Sequence, residues 1–566
     1  MNLNLRAKKK NSYDAIVVGT GISGGWAAKE LTEKGLNTLV LERGRNVKHV
    51  EDYPTMNKDP WDLPNADMVS DEEAQHYKKQ MRTGYTIRES IKHWWVKDTD
   101  QPYEEVKRFD WIRGYHVGGR SLLWGRHSYR LSPMDFEAPL KDGVGIDWPI
   151  RYEDIENWYS YVERFAGISG QAEGLPQLPD GEFLPPMELN CLENHLKSSM
   201  ADQFNRVLTV GRVANLTQPH NGRGQCLHRN LCMRGCPYGA YFSSNAATLP
   251  AAESTGNMTL RPHSIVNSVI YDPELGKATG VRIIDAETGE MEEFYSKIIF
   301  LNASCMNTTL IMMNSISDRF PEGLGNDSGQ LGRNVMDHHF QAGAAGEYDG
   351  FEEEYYWGRR PNGFYIPRYR NIGSNERDYI RGFGYQGSAS REGWQRGVAE
   401  MQIGTDLKSS LTKPGKWTLG MTGFGEMLPH YENRVWLNHD KTDKWGQPTL
   451  VFDVEFKENE YKMREDMKND AAEMLEAAGL KNVNTFDYPT GPGLGIHEMG
   501  TARMGRDPNT SVLNEWNQIH SVKNVFVTDG ACMTSSACQN PSLTYMALTA
   551  RAANYAADQL KRGDLS

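Results

Sequence analysis

YDAIVVGTGISGGWAAKELTEKGLNTLVLERG, residues 13–44, reads as strand, glycine turn, helix and strand. Residues 15–18 form a short apolar run, long enough for a buried parallel strand. Gly19, Gly21 and Gly24 follow as G-x-G-x-x-G. The first glycine makes the tight turn, the second admits a pyrophosphate to the backbone, and the third lets helix pack on strand. The helix N-terminus offers unpaired N–H groups and a favourable dipole to phosphate. Residues 38–41 form the second strand, and Glu42 at its end stands where an acid accepts ribose hydroxyls. A glycine triplet alone is any turn. With a strand before it, a helix after it and an acid at this distance, it is a dinucleotide site.

Working outward, 566 residues exceed one ordinary core, so two domains are expected. The net charge of −12 is spread without a basic block, which excludes nucleic acid and an anionic membrane surface as main partners. No apolar run approaches the ~20 residues of a membrane span. The N-terminal RAKKK runs straight into polar residues, so it reads as a solvated tail and not as a signal peptide. Seven cysteines in so long a chain are no disulfide framework.

Residues 46–110 are polar with scattered tryptophans and read as surface helices and excursions. Residues 115–136, YHVGGRSLLWGRHSYRLSPMDF, then give a second tight backbone passage through Gly118, Gly119, Ser121 and Trp124. A dinucleotide fingerprint with E-R-G, followed ~75 residues later by V-G-G-x-S-x-x-W, resembles the glucose-methanol-choline (GMC) family of flavin oxidoreductases. The resemblance implies a GMC fold: an α/β, Rossmann-like FAD-binding domain with an α+β, antiparallel-sheet substrate domain. It also implies that this loop runs along the flavin ring. In pyranose oxidase, a member, a histidine just before the tryptophan carries the flavin. Leu123 holds that position here, so non-covalent FAD is expected.

Residues 150–215 look helical, residues 152–165 being the best amphipathic piece. In QCLHRNLCMRGCPYGAYFSS, residues 225–244, Cys226, Cys232 and Cys236 stand at C-x5-C-x3-C before a proline. Thiolates this close in a Gly/Pro-rich loop can converge on one metal centre. Structural zinc would use four ligands in two knuckles, and disulfide chemistry more often uses C-x-x-C. Three unrelated thiols are the plain alternative. The spacing resembles the iron–sulfur loop of the bacterial flavin dehydrogenases for glucose and fructose, which implies a [3Fe–4S] cluster. His228 reads first as a surface or hydrogen-bonding histidine, and is a conceivable fourth ligand for a [4Fe–4S] alternative.

Residues 258–290 alternate and turn like a β-meander, with Val266 where the resemblance implies a backbone contact to adenine. Residues 297–301 are another buried strand. NASCMNTTLIMMNS (302–315) resembles the family's second signature, although Asn302 and Ser304 depart from its usual glycine and serine-proline. LGRNVMDHH (331–339) also fits. Residues 340–490 change to strands such as 417–427, 434–437 and 449–456, then a helix at 458–478. That order reads as an antiparallel sheet with helices on one face. Its aromatic stretch, residues 351–369, reads equally as sugar-stacking surface or as core. The expected domains are therefore 1–340 with 490–566 for FAD, the cysteine loop 222–245 included, and 341–489 for substrate.

The C-terminal motifs GIHEMGTARMG (495–505), NVFVTDGACM (524–533) and CQNPSLTYMALTARAANYAA (538–557) return the chain to the first domain. Asp529 and Gly530 end a strand at the ribityl and phosphate end. Asn540, Pro541 and Thr544 open a helix aimed at the flavin ring, where its dipole favours an anionic reduced flavin. A lone histidine is usually structural and a lone Asn-Pro usually a turn. Set in these motifs, His497 and Asn540 are implied to be the catalytic pair. His497 is the base, because imidazole titrates near working pH, and Asn540 the non-titrating hydrogen-bond partner.

The cysteine loop resembles most the bacterial glucoside 3-dehydrogenases, implying oxidation of C3 of a glucopyranoside. It further implies a small partner subunit with an export signal, a c-type cytochrome, and a periplasmic place by co-export; a cytoplasmic enzyme would show the same sequence features. No C-x-x-C-H haem motif is present. Other readings are a sugar, sugar-acid or polyol dehydrogenase acting at another carbon, an oxygen-using oxidase with structural cysteines, and a non-catalytic redox subunit.

Overall fold

The computed structural model describes residues 11–356, 358, 360–373, 376–393 and 403–565. The RAKKK tail and Trp357 of the aromatic stretch lie outside them. The glycine-rich segment folds as read: strand Ser12–Val18, helix Ile22–Glu33, strand Thr38–Leu41. These join an eight-stranded sheet with the order Gln518–Ile519, Val522–Val527, Met291–Leu301, Ser12–Val18, Thr38–Leu41, Met258–Arg261, while Lys277–Asp285 and Ser264–Asp272 branch off Met291–Leu301. From Val522–Val527 across to Met258–Arg261 every pairing is parallel.

Period-two alternation sorts the central strand onto two faces. Ala15 and Val17 face a core built with Ala27, Ala28 and Leu31 of the first helix and Ala552, Ala553 and Ala556 of the C-terminal helix Ser542–Arg562. Small alanines let both helices lie close against the sheet. Ile16 and Val18 belong to the larger core, with Val266, Val269 and Ile283 of the meander Ser264–Asp272 and Lys277–Asp285.

The register decides where chemistry can happen. Val18 pairs with Leu41 and with Leu301, and Val527 pairs with Leu301. Four carboxyl ends are thus level, and Gly19, Glu42, Asn302 and Thr528 emerge along one edge, where ligands of open parallel sheets bind.

The second sheet has seven strands and is antiparallel throughout. Its path is Lys481–Asp487, Ala342–Tyr348, Trp417–Glu426, Phe383–Arg391, Phe364–Ile366, Thr209–Val210, and the seventh strand, His338–His339, pairs with Trp417–Glu426 off this path. Met463, Met467, Met474 and Leu475 of helix Glu458–Ala477 and Leu192, Leu196 and Met200 of helix Cys191–Phe204 fill its core. The hairpin Arg434–Thr442/Pro448–Asp453 does not join this sheet. It forms a small sheet of its own with Glu104–Glu105, because Val435, Leu450 and Phe452 are apolar toward the larger core. Residues 46–110 hold short helical turns and long irregular stretches.

Candidate active site

One cavity of about 830 Å³ runs along the level strand ends. At one end Gly19, Gly21, Glu42 and Val266 line it; Gly119, Ser121, Trp124, Asp529 and Gly530 follow, then His497 and Asn540. The sequence-read loops therefore converge, although Gly24, Gly118, Pro541 and Thr544 stand behind the wall. Gly24 packs on the Gly19 carbonyl, and the Gly118 N–H donates to Thr20 Oγ1 at 2.9 Å. Pro541 caps the last helix, and the Thr544 hydroxyl lies 2.8 Å from Tyr159 Oη.

Two glycines differ in what they do. Gly19 has φ +96°, and a Cβ there would meet the Asn302 carbonyl oxygen at 2.3 Å, so the fold itself demands glycine. A Cβ at Gly21 would meet nothing within 4 Å. Its bareness serves whatever enters the cavity, not the chain's own packing. Thr20 between them was not singled out by sequence. Its hydroxyl donates to Glu42 while accepting the Gly118 N–H, which locks the two glycine loops together. Burial pushes Glu42 up, against hydrogen bonds from Thr20 and from the Gly44 N–H at 3.0 Å. Asp529 is likewise pushed by burial to about 6, despite the Thr308 hydroxyl at 2.6 Å.

The residues fit FAD on direct observations. Asn302 Nδ2 and Tyr545 Oη are buried cavity-wall groups with no partner among the described residues, and buried polar groups in proteins mostly find one. Asn302 Oδ1 is held by the Thr528 N–H and hydroxyl at 3.2 and 2.9 Å, which turns the spare Nδ2 to the ligand side. Sequence reading passed over Asn302 because it departs from the family's usual residue; its place directly after a buried strand was the available signal. Leu123 lines the cavity and carries no atom to which a flavin could be bonded.

At the far end the histidine loop is pinned by Asp337. Its carboxylate accepts the backbone N–H of Gly493 at 2.7 Å, Gly495 at 2.9 Å and His497 at 3.0 Å. The two-stranded pairing of Met336 with Met499 brings these segments together. His497 Nδ1 lies 2.8 Å from His338 Nδ1, and His338 Nε2 donates to the Ala537 carbonyl at 2.8 Å. Burial, with His338 and Arg120 nearby, holds His497 well below the usual histidine range, so the ring is neutral at ordinary pH. Asn540 Oδ1 accepts from Gln386 Nε2 at 2.7 Å, leaving its own Nδ2 free to donate.

Gln386 comes from the antiparallel sheet, as does Phe424, whose ring stacks on Phe340 at 4.9 Å. Both rings and His127 line this end. Of the aromatic stretch 351–369, Pro361 reaches the cavity, while Phe364 and Ile366 are core. Arg120 forms a two-pronged pair with Glu498 at 3.0 and 2.8 Å and also holds Ser304 Oγ at 2.8 Å.

The cysteine loop is different. Cys226, Cys232 and Cys236 are half-buried free thiols, and of them Cys232 lines the cavity. Among the described residues no group of three or more His, Cys, Asp or Glu side chains is placed to hold a metal ion. The loop is fixed by other bonds: the Cys226 N–H to the Leu216 carbonyl, Arg229 to the Met56 carbonyl, Arg234 to the Lys58 carbonyl. Among the described residues no helix is long and apolar enough to cross a membrane.

Comparison with known proteins agrees with this layout. A 2-methyl-1,2-propanediol dehydrogenase of Mycolicibacterium austroafricanum is 28% identical over 96% of this chain and 94% of its own. The fructose dehydrogenase large subunit of Gluconobacter japonicus is 26% identical over 98% and 99%. The solved structure of an Aspergillus oryzae formate oxidase superposes with a TM-score of 0.59 at 15% identity, covering 98% and 99% of the two chains. The N- and C-terminal models described as GMC oxidoreductase match residues 13–340 and 429–549, and the chain belongs to the GMC oxidoreductase family of FAD-dependent enzymes.

Proposed function

We propose that this chain is an FAD-dependent dehydrogenase oxidising a secondary hydroxyl of a sugar or glycoside, with C3 of a glucopyranoside as the position. The observation that carries the reading is that one cavity is lined both by a neutral buried His497 and by an Asn540 whose Nδ2 has no partner among the described residues. Converting a secondary alcohol to a ketone removes a proton from oxygen and a hydride from carbon. Bound FAD supplies the hydride acceptor.

The chain's residues do the rest. His497 is placed to take the hydroxyl proton, and Asn540 Nδ2 to donate to the same oxygen and fix its direction. Phe340, Phe424 and Pro361 give an apolar wall that excludes water, while His127 and Gln386 offer hydrogen bonds to further hydroxyls. The N-terminus of helix Ser542–Arg562 sets a positive dipole end beside Asn540, which favours negative charge in the cavity. A sugar substrate is supported by the likeness to the fructose dehydrogenase large subunit. The C3 position rests on the resemblance of the cysteine loop to glucoside 3-dehydrogenases.

Dye-linked turnover against a glycoside panel, with NMR of the product, tests both levels. A 3-keto product supports the full reading, oxidation at another carbon leaves the dehydrogenase and moves the position, and no turnover on any glycoside removes the substrate class. Stoichiometric peroxide under air would make it an oxidase instead.

A non-oxygen electron acceptor belongs to the same proposal: a c-type cytochrome, with a small export-signal subunit and a periplasmic place. The iron–sulfur reading of Cys226, Cys232 and Cys236 is kept on one observation, that Cys232 shares the cavity with His497. Iron and sulfide analysis of anaerobically purified protein, with Cys232→Ser beside it, decides the matter. Iron-free wild type with full cytochrome-linked turnover rules the cluster out.

A further inference from the structure

A neutral imidazole is a base on one nitrogen only, so a histidine that takes a substrate proton needs its other proton fixed. Behind His497 the structure supplies the means. His338 is 1% exposed, and its Nε2 lies 2.8 Å from the Ala537 carbonyl oxygen. A carbonyl can only accept, so that nitrogen carries a proton. Among the described residues no carboxylate hydrogen-bonds the ring: the neighbouring Asp337 is taken up by the three backbone N–H groups of Gly493, Gly495 and His497. A neutral His338 protonated on Nε2 has a lone pair on Nδ1. That lone pair lies 2.8 Å from His497 Nδ1, and two lone pairs cannot face each other at a hydrogen-bond distance.

We propose that His338 is a positioning residue for the oxidation read above: it fixes His497 in the Nδ1–H tautomer and so leaves the basic nitrogen, Nε2, for the substrate. The inference rests on that reading of His497. As the substrate O–H bond breaks, an Nε2–H bond forms, and the hydride of the same carbon leaves for the flavin. The proton cannot travel on through His338, because the chain of hydrogen bonds ends on a carbonyl that has no proton to give up and none to keep. It returns through Nε2. His338 also ties two loops together, since Ala537 stands three residues before Asn540 in the segment leading to the last helix. One side chain thereby aligns the base and the amide donor.

The direct test is the 15N spectrum of FAD-loaded protein labelled at histidine, with the His497 signals assigned by their loss in His497→Gln. The expected pattern is a protonated Nδ1 and an unprotonated Nε2; a protonated Nε2 overturns the proposal. Two substitutions add a functional readout. His338→Gln keeps one acceptor and one donor, and should reduce its flavin within about tenfold of wild type. His338→Leu keeps neither. It should slow reduction by about 10²-fold or more at saturating sugar, because a base in the wrong tautomer is lost as a base, with KM and bound FAD little changed. A wild-type rate in His338→Leu overturns the proposal; if that variant does not fold, the wild-type spectrum alone decides. A wild-type rate in His497→Ala sinks the underlying reading, whatever tautomer is seen.

Discussion

Replacing Asp337 with Asn tests whether the histidine loop is held by three backbone bonds to one carboxyl group. Asp337 Oδ2 takes the Gly493 and Gly495 N–H groups and Oδ1 takes that of His497. An asparagine has one acceptor oxygen. With that oxygen toward the glycines, its NH₂ faces the His497 N–H and a single bond is lost; the reverse orientation loses two. The first wins. Stranding one buried N–H costs about 1–3 kcal/mol, a sizeable part of the ~5–15 kcal/mol that holds a domain. The variant should fold with a lower guanidinium midpoint. Its damage should fall on His497, whose anchor is the one lost, and a displacement of about 1 Å in a reacting group costs about 10²-fold. Stopped flow under nitrogen should show slower flavin reduction with FAD still bound. Asp337→Ala strands all three groups and should yield little folded protein. If Asp337→Asn matches wild type in both midpoint and reduction rate, the carboxylate does not position the loop.

The same carboxylate gives a pH signature: burial, with Glu498 beside it, pushes Asp337 up to about 7. A raised carboxyl stabilises the fold fully below its unfolded value near 3.8, and that contribution is lost as pH climbs to 7; the wild-type minus Asp337→Asn difference in unfolding midpoint should shrink across that window, and a difference flat with pH counts against it. His497→Ala should slow flavin reduction by about 10²–10⁴-fold, or about 3–5 kcal/mol of barrier. Asn540→Ala should be milder, and the double variant less than additive because both act on one oxygen; a wild-type rate in His497→Ala makes the histidine structural. Gly21→Ala should leave apo stability unchanged while FAD content falls, whereas Gly19→Ala should destabilise the apo protein; equal effects would place no pyrophosphate at Gly21. Acid precipitation should release all the yellow colour to the supernatant, and flavin left in the pellet would contradict a non-covalent cofactor at Leu123.

The parts of this site legible in sequence are those that local backbone chemistry dictates. Gly19 and Gly24 could be read because a turn against a neighbouring carbonyl excludes every side chain, and the strands on either side announce themselves by apolar runs. The hairpin Arg434–Thr442/Pro448–Asp453 was equally visible as strands, but not its partner, because the register that pairs it with Glu104–Glu105 spans more than three hundred residues. Thr20, Asn302, Asp337, His338 and Gln386 were missed for a related reason. Each is an ordinary polar residue whose role lies in a bond to a distant segment: Thr20 to Gly118, Asn302 to Thr528, His338 to Ala537, Gln386 to Asn540. The cysteine loop marks the opposite limit. Spacing in sequence brings Cys226, Cys232 and Cys236 within reach of one another, yet among the described residues they form no group placed to hold a metal ion, and the loop is held by its own anchors at Met56, Lys58 and Leu216. Short spacing constrains how far apart side chains can be, and only the surrounding bonds decide whether they meet. At His497 the surrounding bonds do decide where the ring stands: the N–H to Asp337 fixes the backbone, the Nδ1 to His338 fixes the ring, and what is left over, Nε2, is the atom that the proposed oxidation would use.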